Sequence, residues 1–169
     1  GRVTRAGTDI AILLYTSGST GTPKGVMHSF ERITKVAENI NKDIRTRIGD
    51  IEDNRILSYL PLAHAFERAW VEASSLVDGK THVFFAESLD TFVKDLNRAR
   101  PTSFISVPRL WLKFQQGVFT KMPPKKLNRL LSIPILSGIV KRKVLKNLGL
   151  DQALLAGSGS APIPAELIS

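Results

Sequence analysis

The chain has 169 residues, of which 43% are hydrophobic, carries a formal net charge of +9 and contains no cysteine. That length and apolar fraction suit a domain with one sizeable core and argue against disorder. The absence of thiols excludes a disulfide framework and a thiolate metal site and fits a reducing compartment, and no run of about 18 to 20 apolar residues or charged-then-apolar leader occurs, so a soluble, cytoplasmic protein is expected.

In chain order, AILLYT (11–16) is a short apolar run of the buried-strand type, followed by the side-chain-poor stretch TSGSTGTPKG (16–25) with Lys24 as its one cation. HSFERITKVAENINKDIRTR (28–47) sets Phe30, Ile33, Val36, Ala37, Ile40 and Ile44 near helical spacing, which makes the order strand, glycine loop, helix. NRILSYLPL (54–62) reads as a strand stopped by Pro61 and AFERAWVEASSLVDG (65–79) as a helix ending at Gly79. THVFFA (81–86) is a further strand, and SLDTFVKDLNRAR (88–100) a helix opened by Ser88 with Asp90 near its positive end. PTSFISVP (101–108) is another strand and 109–118 another helix. The alternation predicts an α/β fold, three-layered, with helices packed on a mostly parallel sheet. Trp70 and Trp111 fall on helical patterns and are expected in the core.

The charge is unevenly placed. Residues 1–95 hold 12 Lys or Arg and 13 Asp or Glu, whereas 96–150 hold 12 basic residues and no acid. Within that segment, 121–149 sets two basic clusters around the apolar LLSIPILSGIV (130–140). It reads either as a surface for anionic lipid headgroups or as a solvated pair of helices whose apolar face belongs to the core. Nucleic-acid binding is a third reading that no recognition motif or aromatic interleaving supports. Because the first strand arrives at once and a Pro-started helix begins in APIPAELIS (161–169), the chain is expected to be an excised piece of a longer protein.

The glycine loop has a physical reading of its own. A strand that ends in glycines and hydroxyls exposes backbone N–H groups that no side chain blocks, which suits an anion such as phosphate. Lys24 adds a mobile point charge, and Pro23 stiffens the loop before KGV resumes extended structure. Pro23 before and Gly25 after Lys24 break the pattern G-x-x-x-x-G-K-[ST], and G-x-G-x-x-G is not matched either.

YTSGSTGTPKGVMHSF (15–30) resembles the signature of the adenylate-forming superfamily of acyl-CoA synthetases, nonribosomal peptide adenylation domains and luciferases. YLPLAHAFER (59–68) resembles that family's second core motif, in a form most similar to long-chain fatty acyl-CoA synthetases, and GSAP (159–162) resembles the loop that passes under the adenine. The resemblance implies the fold of part of a large N-terminal AMP-binding domain, with a small C-terminal domain bearing a catalytic lysine absent. It implies ATP-dependent formation of an acyl-adenylate from a fatty acid, then transfer to coenzyme A. By the same resemblance Thr16, Ser17, Gly18, Ser19, Thr20, Gly21 and Lys24 bind the phosphates and Thr16 contacts Mg²⁺. His64 sits between nucleotide and acyl group, and Gly159, Ser160, Ala161 and Pro162 line the adenine. A lone His at a strand end is otherwise a hydrogen-bonded structural residue, and Glu67 either points to the site or pairs with Arg68 or Arg109. The alternatives are an adenylation domain for amino or aryl acids, or a non-catalytic module that binds membranes or polyanions through 121–149. The 169 residues alone are expected to be inactive.

Overall fold

A computed structural model describes residues 4–16 and 23–159. They divide into two compact units, one built from residues up to 53 together with 58–83, the other from 54–57 together with residues from 84 onward.

In the first unit β1 (Ile10–Thr16) pairs antiparallel with β2 (Lys24–Ser29), in a register that runs from Ile10 opposite Ser29 to Thr16 opposite Lys24. The extended structure expected after Pro23 is therefore a full strand, and the helix expected from His28 starts two residues later, as α1 (Phe30–Ile48). Ser29 sets that start: its extended backbone and its hydroxyl, which accepts from the Arg32 N–H at 3.4 Å, make it the N-cap. The order is thus strand, loop, strand, helix.

The chain continues through β3 (Arg55–Ser58) to a π-helical stretch, Glu67–Ala73, which runs directly into α2 (Ser74–Asp78) and stops at Gly79, with φ of 70°. The helix read from 65–79 is present, but its first half is wound more widely; such π turns are uncommon and gather at functional sites. Asn41 of α1, buried, donates to the Ser74 carbonyl at 3.0 Å and ties α1 to this helix.

β4 (His82–Phe85) pairs with β3, and the chain passes from one unit to the other within each of these strands. In the second unit α3 (Phe92–Ala99) begins four residues after Ser88. Ser88 is not its cap, because Ser88 and Thr91 satisfy each other: the Ser88 N–H donates to Thr91 Oγ1 at 3.1 Å and the Thr91 N–H to Ser88 Oγ at 3.2 Å. β5 (Ser103–Ser106) leads to three Pro-started helices, α4 (Pro108–Lys121), α5 (Pro124–Leu131) and α6 (Pro134–Leu148), and then to β6 (Leu155–Ser158). β5 and β6 are parallel, in register from Ser103 opposite Leu155 to Ser106 opposite Ser158, so the α/β crossover read from the sequence is present here.

The core of this unit is aromatic. Phe104 meets Trp111 edge-on at 5.4 Å between centroids, and Phe114 meets Trp111 at 5.8 Å and Phe92 at 6.1 Å. Helices α5 and α6 are the pair foreseen for 121–149; neither contains a fully buried residue, and Val140, Val144 and Leu148 of α6 are half-buried.

Candidate functional site

The two strands of the hairpin carry the ends of the glycine loop. Thr16 and Lys24 are opposite one another at its open end, within one strand spacing, about 5 Å, and Lys24 is exposed. Gly25 is constrained by packing: a Cβ there would stand 3.2 Å from Leu13 Cδ1 and 3.4 Å from Tyr15 Cε1. Of the residues assigned to phosphate, Ser17, Gly18, Ser19, Thr20 and Gly21 lie outside the described residues.

The segment bearing His64 packs against the same hairpin. A small cavity of about 150 Å³ is bounded by Ile12 and Leu14 of β1, Val36 of α1, and Ala65, Arg68 and Ala69. His64 is exposed at the start of the helix, and its backbone is fixed on both sides: its N–H donates to the Pro61 carbonyl at 2.8 Å, and its carbonyl accepts from the Arg68 N–H at 3.2 Å. The ring is fixed too, because Nδ1 accepts from the Phe66 N–H at 3.3 Å. An accepting Nδ1 places the proton of the neutral ring on Nε2, which leaves one N–H donor on an exposed imidazole. The structural and functional readings of His64 thus divide between its two nitrogens.

Glu67, read as pointing to the site or as an ion-pair partner, is held inside the turn. It is fully buried, and Oε1 accepts from Ser58 Oγ at 2.5 Å and from the Tyr59 N–H at 3.1 Å, while Oε2 has no partner among the described residues. It does not pair with Arg68, which instead grips Glu72 at 2.6 Å and the Leu62 carbonyl at 2.8 Å. Burial raises the Glu67 carboxyl above its ordinary value, against the lowering effect of Ser58, the Tyr59 and Leu60 N–H groups and His64. Its role is to lock the end of β3 to the π-helical stretch on the other side of the His64 turn. Trp70 stacks on Phe66 at 6.1 Å with an interplanar angle of 7°, completing the packing beside that turn.

In the second unit, the Gly159 N–H donates to the Ser106 carbonyl at 3.1 Å, which extends the β5–β6 ladder to the edge of the expected adenine loop. Ser160, Ala161 and Pro162 lie outside the described residues. Trp111, expected as plain core, has a second task, since its Nε1–H donates to the Gly157 carbonyl at 3.1 Å and ties α4 to β6. Gly157 needs to be small, because a Cβ there would lie 3.3 Å from Ile105 Cγ1. Among the described residues no three His, Asp or Glu gather as a metal site, and no helix is long and apolar enough to cross a membrane.

Residues 2–169 match the model of the AMP-binding enzyme family. A long-chain-fatty-acid–CoA ligase of Xenopus laevis is 32% identical over 92% of this chain and 25% of its own length. Long chain acyl-CoA synthetase 3 of Arabidopsis thaliana is 30% identical over 95% of this chain and 27% of its own. Among solved structures, the A domain of a carboxylic acid reductase from Segniliparus rugosus, in complex with AMP and a co-purified carboxylic acid, superposes with a TM-score of 0.72 at 30% identity, covering 95% of this chain and 25% of that one. The chain spans about a quarter of the length of these proteins.

Proposed function

This chain belongs to the AMP-binding enzyme family, and from that premise we propose that the protein activates a long-chain fatty acid with ATP and then transfers the acyl group to coenzyme A. A fatty carboxylate attacks the α-phosphorus of ATP, giving an acyl-adenylate and releasing pyrophosphate; the thiol of coenzyme A then displaces AMP. The observation that carries the reading is the pairing of Thr16 with Lys24 across the hairpin, which bounds the sequence TSGSTGTPKG at the mouth of two paired strands.

These residues fit a polyphosphate. Backbone N–H groups and hydroxyls of 16–20 would hold its outer phosphates, and Lys24, exposed at the hairpin end, would neutralise charge on the departing pyrophosphate. Mg²⁺ would supply further neutralisation when bound, and the resemblance assigns it the Thr16 hydroxyl, directly or through water. The Nε2–H of His64 is a donor for a carboxylate or phosphate oxygen. Gly159, Ser160, Ala161 and Pro162 line the adenine. In this reading the chain is part of the N-terminal domain of such an enzyme. The reading also includes a cytoplasmic protein that touches a membrane through 121–149, where Ile135 is 80% and Ile139 59% exposed beside basic clusters.

A second reading, adenylation of an amino or aryl acid, draws on the similarity to the reductase A domain. Acid-dependent ATP–pyrophosphate exchange by the whole protein separates the two, using palmitate, a short fatty acid, an aryl acid and mixed amino acids. Exchange is expected with palmitate, and Lys24→Ala is expected to lower it about 10²–10³-fold, the usual effect of losing one donor to developing charge. Exchange with aryl or amino acids alone moves the assignment to the second reading, and exchange with none refutes both.

A further inference from the structure

Residues 121–149 carry eight Lys or Arg and no Asp or Glu, and the fold divides them into α5 and α6 with Ser132 and Ile133 between. On α6, Ile135, Ile139, Arg142 and Lys146 follow at intervals of four, three and four, so they share one face, and all four are exposed. Val140, Val144 and Leu148 take the other side, half-buried. None of the eight cations is in an ion pair among the described residues. Exposed apolar side chains beside uncompensated cations suit contact with anionic headgroups.

Ser132 stands in the middle of that run of charge. It is exposed, α5 ends on it, and its hydroxyl donates to the Arg129 carbonyl at 2.8 Å. Arg129 precedes it by three residues, with Leu127 five before and Leu136 four after. A guanidinium three residues ahead of a hydroxyl, with apolar side chains on either side, is the charge pattern that arginine-directed protein kinases select. Such a kinase takes its substrate extended, and α5 can open at little cost, because it has eight residues and none is fully buried. Thr8, Ser58 and Ser103 also follow an arginine by three. Ser58 and Ser103 are buried, and Thr8 is followed by Asp9 in a part of the chain whose charges nearly balance.

From this placement we propose that Ser132 is a phosphorylation site whose modification releases 121–149 from an anionic bilayer; the inference rests on the reading of that segment as a membrane contact. In the modifying step Ser132 Oγ attacks the γ-phosphorus of ATP held by the kinase. The Oγ–P bond forms as the bond from that phosphorus to the bridging oxygen breaks, ADP leaves, and the hydroxyl proton passes to a base of the kinase. The phosphate then stands three residues from Arg129 and next to Ile133, at the start of the exposed apolar face. Each unit of charge near an anionic surface changes partitioning roughly fivefold, so a phosphate of charge about −2 weakens binding about 10–30-fold.

The test uses the whole protein, with phosphoserine installed at position 132 during synthesis, sedimented with phosphatidylcholine vesicles that contain or lack phosphatidylserine. Unmodified protein is expected to sediment with the phosphatidylserine vesicles, and the phosphoserine form to need about 10–30-fold more of that lipid at about pH 7.5. At about pH 5.5 the phosphate carries nearer one charge, and the difference is expected to shrink to about fivefold. An arginine-directed kinase with ATP is expected to label the peptide that holds Ser132, with the label lost in Ser132→Ala and lowered about tenfold or more in Arg129→Ala. Equal sedimentation of the two forms, or no label on Ser132, overturns the proposal alone. Failure of the unmodified protein to bind the phosphatidylserine vesicles overturns the membrane reading and the switch with it. Acid-dependent exchange is expected to be unaltered in Ser132→Ala, which separates both failures from that of the ligase reading.

Discussion

Replacing Glu67 tests whether a buried carboxyl holds the His64 turn. Glu67→Ala would leave the Ser58 hydroxyl and the Tyr59 N–H facing a void the size of the lost side chain. An orphaned buried donor costs about 1–3 kcal/mol and a side-chain-sized void adds to that, so the loss is expected to be about 2–4 kcal/mol, or roughly 5–15 °C in Tm for a chain of this size. Glu67→Gln keeps an oxygen acceptor at Oε1 in nearly the same volume and is expected to stay within about 1 kcal/mol of wild type in mild acid. The pH dependence is the sharper observable. The native carboxyl titrates above its ordinary 4.5, so the folded state holds the proton more tightly than the unfolded state. Its contribution to stability is complete below the ordinary value and is lost as pH rises through the raised native value. Urea melts of wild type and Glu67→Gln between pH 4 and 8, followed through Trp70 fluorescence in a Trp111→Phe background, are therefore expected to diverge as pH rises, with the Gln variant gaining. Other titrating groups are common to both proteins and cancel in the difference. Parallel curves across that range would show that burial does not control this carboxyl, and would refute the reasoning.

Gly149→Ala combines a left-handed backbone with a Cβ 2.6 Å from Asn97 backbone atoms and the Leu96 carbonyl, whereas Gly79→Ala has the same left-handed backbone, with φ of 70°, and open space. Urea melts should show about 1–2 kcal/mol lost for Gly79→Ala and clearly more for Gly149→Ala; equal losses would remove the close approach of α6 to α3 from the account. Trp111→Phe retains an aromatic ring among Phe104 and Phe114 but deletes the bond to Gly157. A loss of about 0.5–1.5 kcal/mol is expected, together with a rise in KM for ATP in the whole protein that exceeds any fall in kcat, since the tether acts on the strand leading to the expected adenine loop.

The parts of this chain that were legible in its sequence are those governed by local rules. Gly79 ends a helix because its left-handed backbone suits glycine, the helix read from 109 is α4, which Pro108 opens one residue earlier, and the strand read in 101–108 is β5. Errors arose where two local rules compete. Ser88 satisfies the sequence criterion for a cap, yet its hydroxyl pairs with Thr91 and the helix starts later. KGV reads as extended structure and His28 as the start of a helix, but β2 continues to Ser29 in its pairing with β1, and Ser29 then caps α1. The π-helical stretch at Glu67–Ala73 has no periodicity that would distinguish it from an α-helix of the same residues.

Glu67 shows why the chemistry of a site is harder to read than its location. The motif YLPLAHAFER marks the turn, and His64 is conspicuous in it, but for Glu67 the sequence leaves open a place at the site or an ion pair with Arg68 or Arg109. What the sequence does not show is a tertiary fact: the end of β3 presents the Ser58 hydroxyl and the Tyr59 N–H to the helix, and Glu67 Oε1 accepts from both. The same closure leaves the His64 ring with Nδ1 committed to the Phe66 N–H and Nε2–H available. Glu67 thereby holds the turn on which His64 sits, without itself being assigned a contact to the proposed ligand. Loss of Glu67 should therefore weaken acid-dependent exchange by the whole protein even at a temperature where Glu67→Ala remains folded, while Glu67→Gln restores it.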